Sequence, residues 1–127
     1  MTSILIVDDS SAMRSVIKRI ITLSGFETEA FLEACDGEDA LEVLRRESVD
    51  LIISDINMPR MDGESLLREI VADPVLREVP VVIVSSDATE SRAGRLLEIG
   101  ASAYLVKPFQ PQMFREKLEQ VLEAVHG

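Results

Sequence analysis

A doubly wound α/β sheet is the fold this sequence predicts, and three observations predict it. Five short apolar runs alternate with five amphipathic stretches along 127 residues. Three of those runs are almost wholly apolar and β-branched, the pattern of parallel strands buried on both faces. No Gly/Ser-rich linker, repeat or low-complexity tract interrupts the series, so residues 1–127 read as one domain. With right-handed crossovers few windings remain, and the order 2-1-3-4-5 is the common one for five parallel strands.

The elements follow in chain order. Ile4-Leu5-Ile6-Val7 is the first strand, and Ser10 or Ser11 is placed to cap the helix after it. Met13, Val16, Ile17, Ile20 and Ile21 keep the i, i+3, i+4, i+7 spacing of one helix face, while Arg14, Lys18 and Arg19 point elsewhere. Gly25 suits the helix end. The run Ala30-Phe31-Leu32-Glu33-Ala34 is the most polar of the five and fits an edge strand; the approach Glu27-Thr28-Glu29 is long. Ala40, Leu41 and Leu44 mark the second helix, and Leu51-Ile52-Ile53 the third strand. Leu66, Leu67, Ile70 and Val71 form the third helical stripe, followed by the strand Val81-Val82-Ile83-Val84 after Pro80. Ala93, Leu96 and Leu97 mark a helix that stops at Gly100, and Ala103-Tyr104-Leu105-Val106 is the last strand. The final helix carries Phe114, Leu118, Val121, Leu122 and Val125, with Pro111 where a first turn tolerates it.

Composition narrows the functional classes. With 46% hydrophobic and 28% charged residues the chain has enough apolar content for a core. Thirteen basic against 23 acidic residues, a net charge of -10, disfavours direct binding of nucleic acid through its phosphates. The single Cys35 forms no internal disulfide. No run approaches the ~18 apolar residues of a membrane span. Ile4–Val7 is stopped by Asp8-Asp9 without a basic flank, so it is no signal peptide and the cytoplasm is the expected compartment.

What ends each strand carries the chemistry. The first run ends in Asp8-Asp9, the third in Ser54-Asp55, the fourth in Ser85-Ser86 and the fifth in Lys107-Pro108. In a parallel sheet these ends share one edge, where open α/β sheets bind ligands. The second run ends at Ala34-Cys35 with nothing comparable, and the strand order places it outside the cluster. Taken singly, an Asp after a strand is an ordinary helix cap, a Ser a turn hydroxyl and a Lys a solvated side chain. Caps do not explain acids, hydroxyls and a lysine on four neighbouring strand ends.

Asp8, Asp9 and Asp55 would repel one another without a cation, and a carboxylate cluster suits Mg²⁺. With Mg²⁺ and Lys107 the site is close to neutral. Cys35 is at the wrong strand and His126 on the tail, which disfavours zinc or copper. Such a site invites a phosphoryl group, with Asp55 as nucleophile, Lys107 pairing with a phosphoryl oxygen and Ser85 donating a hydrogen bond. Phosphorylation would add negative charge, so some element must rearrange to meet it.

The segment Asp55-Ile56-Asn57-Met58-Pro59-Arg60-Met61-Asp62-Gly63, with Asp8-Asp9 and Lys107-Pro108, resembles the receiver domain of two-component response regulators. It is most similar to the single-domain kind typified by the chemotaxis regulator, over essentially the whole chain. The resemblance implies a flavodoxin-like (βα)5 sandwich and makes Asp55 the phosphoacceptor. It implies Mg²⁺ held by Asp9, Asp55 and the backbone carbonyl of Asn57, with Asp8 acting mainly through a bound water. Lys107, with Ser85 and Ser86, would contact the phosphoryl group, and the Lys107-Pro108 bond is expected to be cis. Ser85 and Tyr104 would be the switch pair. Ser85 stands where threonine is commoner, and Ser86 where many relatives have alanine or glycine.

Three functions compete. In the first, a sensor histidine kinase or phosphotransfer protein donates to Asp55, and the surface around the fourth helix, fifth strand and fifth helix engages a downstream protein. Self-phosphorylation and self-dephosphorylation would be its only catalysis. The second is a Mg-dependent aspartate-nucleophile phosphatase, which needs an acid two residues past the nucleophile; Asn57 holds that place. The third is an adaptor that is never phosphorylated, against which Asp55, Asp9 and Lys107 argue. A monomer or a phosphorylation-dependent dimer is expected, with Arg92, Arg95 and Arg115 as candidate surface charges.

Overall fold

The computed structural model describes residues 2–87 and 89–126; the His126 side chain, set aside above as a metal ligand, lies outside them. The strands are β1 (Ser3–Val7), β2 (Ala30–Ala34), β3 (Leu51–Asp55), β4 (Val81–Ser85) and β5 (Ala103–Val106). They form one parallel sheet in the order β2-β1-β3-β4-β5, the winding the sequence predicts. Between them run α1 (Ser11–Ser24), α2 (Gly37–Arg46), α3 (Gly63–Ala72), α4 (Glu90–Ile99) and α5 (Pro111–His126). A 3-10 turn, Leu76–Glu78, precedes β4 and has no counterpart in the sequence reading; the Asp73 carboxylate, accepting from the Val75 and Leu76 amides, fastens it.

The period of two along each strand divides the core into two layers. Leu5, Val7, Ile52 and Ile83 face α2, α3 and α4, whose Val43, Leu44, Leu66, Leu67, Ile70 and Leu96 pack onto them. Ile4, Ile6, Leu51, Ile53, Val82 and Val84 face α1 and α5 through Ile17, Ile21, Phe114, Leu118 and Val121. The weak β2 is a strand because β1 pairs with all five of its residues, from Ser3 with Ala30 to Val7 with Ala34.

Two of the predicted helical stripes are narrower than expected. In α1 only Ile17 and Ile21 are fully buried, while Val16 is 46% exposed. Leu97 in α4 is 45% exposed beside the buried Leu96. Each exposed residue lies one position, about 100° around the helix, from its buried neighbour, and so falls on the flank of the contact.

The caps position the strand ends. Ser10 caps α1, its hydroxyl accepting from the Met13 amide at 3.2 Å, so neither Asp8 nor Asp9 is consumed as a cap. Gly25 closes α1 in the left-handed region at φ 81°, as its place after the helical stripe predicts. Gly63 opens α3 with its amide on the Ile56 carbonyl at 2.7 Å, and a Cβ there would drive into the Asp55 carbonyl. Glycine thus lets α3 begin directly against the end of β3.

Candidate functional site: an acidic cluster with a lysine at the strand ends

The parallel register aligns the equipped ends: Val7 lies beside Ser54, Asp55 beside Val84, and Ser85 beside Val106. Asp8 and Asp9 follow β1, Asp55 ends β3, Ser85 ends β4 and Lys107 follows β5. One carboxylate oxygen from each of Asp8, Asp9 and Asp55 lies within 4.8 Å of the others. The Lys107 ammonium sits 3.7 Å from Asp55 Oδ1 and 3.9 Å from Asp8 Oδ2. The Lys107–Pro108 peptide is cis.

The three carboxylates are held differently. Asp8 is 2% exposed; its Oδ1 accepts from the Ser10 amide at 2.9 Å, and its Oδ2 is buried with no hydrogen-bond partner. Burial pushes the Asp8 carboxyl above its ordinary value, and Asp55 and Asp9 add to that, against the Ser10 amide and Lys107. Asp55 is partly exposed, its Oδ1 accepting from the Ile56 amide at 2.9 Å. Asp9 is exposed. Natural structures rarely bury a carboxylate oxygen without a partner. Three acids around that orphaned oxygen, with a single lysine to offset them, are a donor set suited to a hard divalent cation. Asn57 lies exposed in the loop just beyond, two residues after Asp55.

Ser85 and Tyr104 meet on one peptide segment. Ser85 is buried, and its hydroxyl accepts from the Asp87 amide at 3.0 Å. The half-buried Tyr104 donates its hydroxyl to the Asp87 carbonyl at 2.7 Å. Both side chains therefore grip the backbone of Asp87, at the head of the loop into α4. Ser86 is exposed.

The second strand, at the edge as expected, supplies none of the three clustered carboxylates and meets the end of β1 through the backbone, the Asp8 amide donating to the Ala34 carbonyl at 3.1 Å. Arg14 and Lys18, off the apolar face of α1, point to β2. Both bind Glu33 of β2, at 2.8 and 2.9 Å, and Arg14 also donates to the Asp8 carbonyl at 2.5 Å. The edge position brings the polar residue of β2 against the polar face of α1. A glutamate interrupting an apolar strand was the one signal that could have pointed there.

Comparison with known proteins agrees with this geometry. Residues 4–119 match the response regulator receiver domain family. The chain is 41% identical over 124 residues to the chemotaxis protein CheY of Pseudomonas aeruginosa, covering 98% of each. It is 38% identical over 125 residues to a CheY homolog of Campylobacter jejuni, covering 98% of this chain and 95% of that one. Among solved structures it resembles the chemotaxis response regulator CheY4 of Vibrio cholerae, with TM-score 0.82, 29% identity, and coverage of 95% of this chain and 98% of that one. A CheY-like receiver domain protein from Methanospirillum hungatei gives TM-score 0.82 at 28% identity, covering 99% and 97%. With sheet order, strand-end chemistry and sequence in agreement, the chain belongs to the response regulator receiver domain family.

Proposed function

We propose that this chain is a phosphorylation-dependent switch of two-component signalling, with residues 1–127 acting as one receiver and Asp55 as its phosphoacceptor. The observation that carries the assignment to Asp55 is its place in the cluster: a partly exposed carboxylate beside two further acids, with Lys107 3.7 Å from its Oδ1. A signalling role, rather than that of a classical enzyme, fits the family. The phosphatase reading lacks its second acid, because Asn57 stands two residues beyond Asp55.

In the proposed step a carboxylate oxygen of Asp55 forms a bond to phosphorus while the bond from phosphorus to the donor breaks. With a phosphohistidine donor the imidazole nitrogen keeps the electron pair and takes a proton from solvent. Asp9 and Asp55, with the carbonyl of Asn57, would hold Mg²⁺, and Asp8 would reach it mainly through a water. When bound, the ion supplies positive charge to the incoming phosphoryl oxygens. Lys107 would pair with one phosphoryl oxygen, and Ser85 and Ser86 would meet the others. Attack of water on phosphorus breaks the bond to the Asp55 oxygen, which keeps the electron pair, and releases inorganic phosphate and the free carboxylate.

The grip on Asp87 suggests how the switch is read. If the Ser85 hydroxyl turns to the phosphoryl group, it leaves the Asp87 amide and loosens the loop that Tyr104 holds from the other side. The surface around α4, β5 and α5 is then the face offered to a downstream protein. A sensor histidine kinase or phosphotransfer protein is the donor, and the protein acts as a monomer or a phosphorylation-dependent dimer. No helix among the described residues is long and apolar enough to cross a membrane, and the cytoplasm is the proposed compartment.

Intact mass after incubation with acetyl phosphate and Mg²⁺ tests the reading. One Mg-dependent phosphoryl addition to the wild type, absent from Asp55→Asn, is the expected result. An unmodified wild type, or addition that persists in Asp55→Asn, overturns it.

A further inference from the structure

The contact that joins the edge strand to the acidic cluster has a consequence for the site. We propose that Arg14 is a positioning residue, held by Glu33, that fixes the Asp8–Asp9 peptide and through it the aim of Asp9. The inference rests on the Mg²⁺ reading above for its functional readout, though not for its geometry.

Arg14 stands in the first turn of α1, where its own amide donates to the Ser10 carbonyl at 3.0 Å. Its side chain is only 16% exposed and turns back over the Asp8-Asp9-Ser10 corner. One guanidinium nitrogen, Nη1, donates to the Asp8 carbonyl at 2.5 Å, and Nε donates to Glu33 Oε1 at 2.8 Å. Lys18 takes the other oxygen of Glu33 at 2.9 Å. The Asp8 carbonyl and the Asp9 amide belong to one rigid peptide plane. With the Asp8 amide on Ala34 and its carbonyl on Arg14, the backbone entering Asp9 is held on both sides.

Asp9 needs that hold. It is exposed, and its side chain makes no hydrogen bond among the described residues, so only its backbone fixes where the carboxylate points. A planar guanidinium with donors on fixed vectors can bind Glu33 and the carbonyl together; a lysine ammonium on a flexible stem does not reproduce that geometry. Groups behind a ligand, which orient it without touching the ion, usually change metal affinity by about 10- to 100-fold when removed.

The experiment is Mg²⁺ titration of the full chain by calorimetry, with wild type, Arg14→Met, Arg14→Lys, Glu33→Gln and the double variant Arg14→Met/Glu33→Gln. Carbonyl and amide NMR shifts of Asp8 and Asp9 are recorded without metal. Arg14→Met is expected to weaken Mg²⁺ binding by about 10-fold. Arg14→Lys should recover part of that loss, and the double variant should bind no worse than Arg14→Met, because Glu33 acts through Arg14. The metal-free shifts of Asp8 and Asp9 should move in Arg14→Met. If Arg14→Met binds Mg²⁺ within about twofold of wild type and those shifts stay in place, the positioning role is overturned and the contact is an ordinary ion pair. Should Arg14→Met fail to fold, Glu33→Gln decides: unchanged Mg²⁺ affinity and unchanged Asp8 and Asp9 shifts overturn the proposal. A wild type that shows no Mg²⁺ binding overturns the metal reading itself, and that outcome is distinct because it appears before any variant is compared.

Discussion

Asp8 and Asp36 are buried aspartates next to the ends of neighbouring strands, yet their carboxyls move in opposite directions. Asp36 is fully buried and answered. Its Oδ1 caps α2 by accepting from the Asp39 amide at 2.8 Å, and its Oδ2 is paired with the Arg60 guanidinium. The Asp39 amide and then Arg60 outweigh burial and hold the Asp36 carboxyl below its ordinary value. Asp8, almost as hidden, has an oxygen without a hydrogen bond, and burial first and then the charges of Asp55 and Asp9 push its carboxyl up against the Ser10 amide and the Lys107 ammonium 3.9 Å away. The first arrangement is a bolt between loops: Arg60 adopts the left-handed region at φ 63°, and the Gly37 amide donates to the Met61 carbonyl at 3.0 Å. The second belongs to a cluster of three acids offset by one lysine. Burial alone separates nothing; what matters is whether the surrounding donors complete the charge.

The comparison is broken or sharpened by removing each charge. Asp36→Ala is expected to have the largest effect, a loss of about 2 kcal/mol from the missing helix cap and charged hydrogen bonds; urea unfolding at neutral pH measures it. Asp8→Asn should act with the opposite sign. It keeps an acceptor for the Ser10 amide while removing a desolvated charge and its repulsion, and so should stabilise the metal-free protein by on the order of 1 kcal/mol. A melting temperature raised by a few degrees, together with weaker Mg²⁺ binding, is the expected result; a lowered one would mean that the two aspartates do the same work.

The smallest effect is in acid. A carboxyl whose folded value lies below its ordinary value contributes stability that is complete above the ordinary value and is lost as pH falls through the lower folded one. The same sign holds for Glu33, whose carboxyl Lys18 and then Arg14 pull down from 4.5. Urea midpoints of wild type and Asp36→Asn should therefore differ at neutral pH and draw together as pH falls below the ordinary carboxyl value and through the lower folded one. A gap that stays constant across that range would show that the charge of Asp36 contributes nothing.

Much of this protein was legible from its residues. Strand composition and alternation point to the parallel sheet, because a doubly wound sheet buries both faces of runs such as Leu51–Ile53, and its order is the common winding for five such strands. Topology then brings Asp8, Asp9, Asp55, Ser85 and Lys107 to one edge whatever the side chains do, so the site could be assembled before any contact was known. Local chemistry likewise placed Ser10, Gly25 and Pro111 at helix ends. Tertiary packing alone decided which acid is orphaned and which is satisfied. Arg14 meets Glu33 across 19 positions, and Arg60 meets Asp36 across 24. No periodicity joins residues so far apart, and whether such a pair forms depends on how long side chains lie once the sheet has set their starting points.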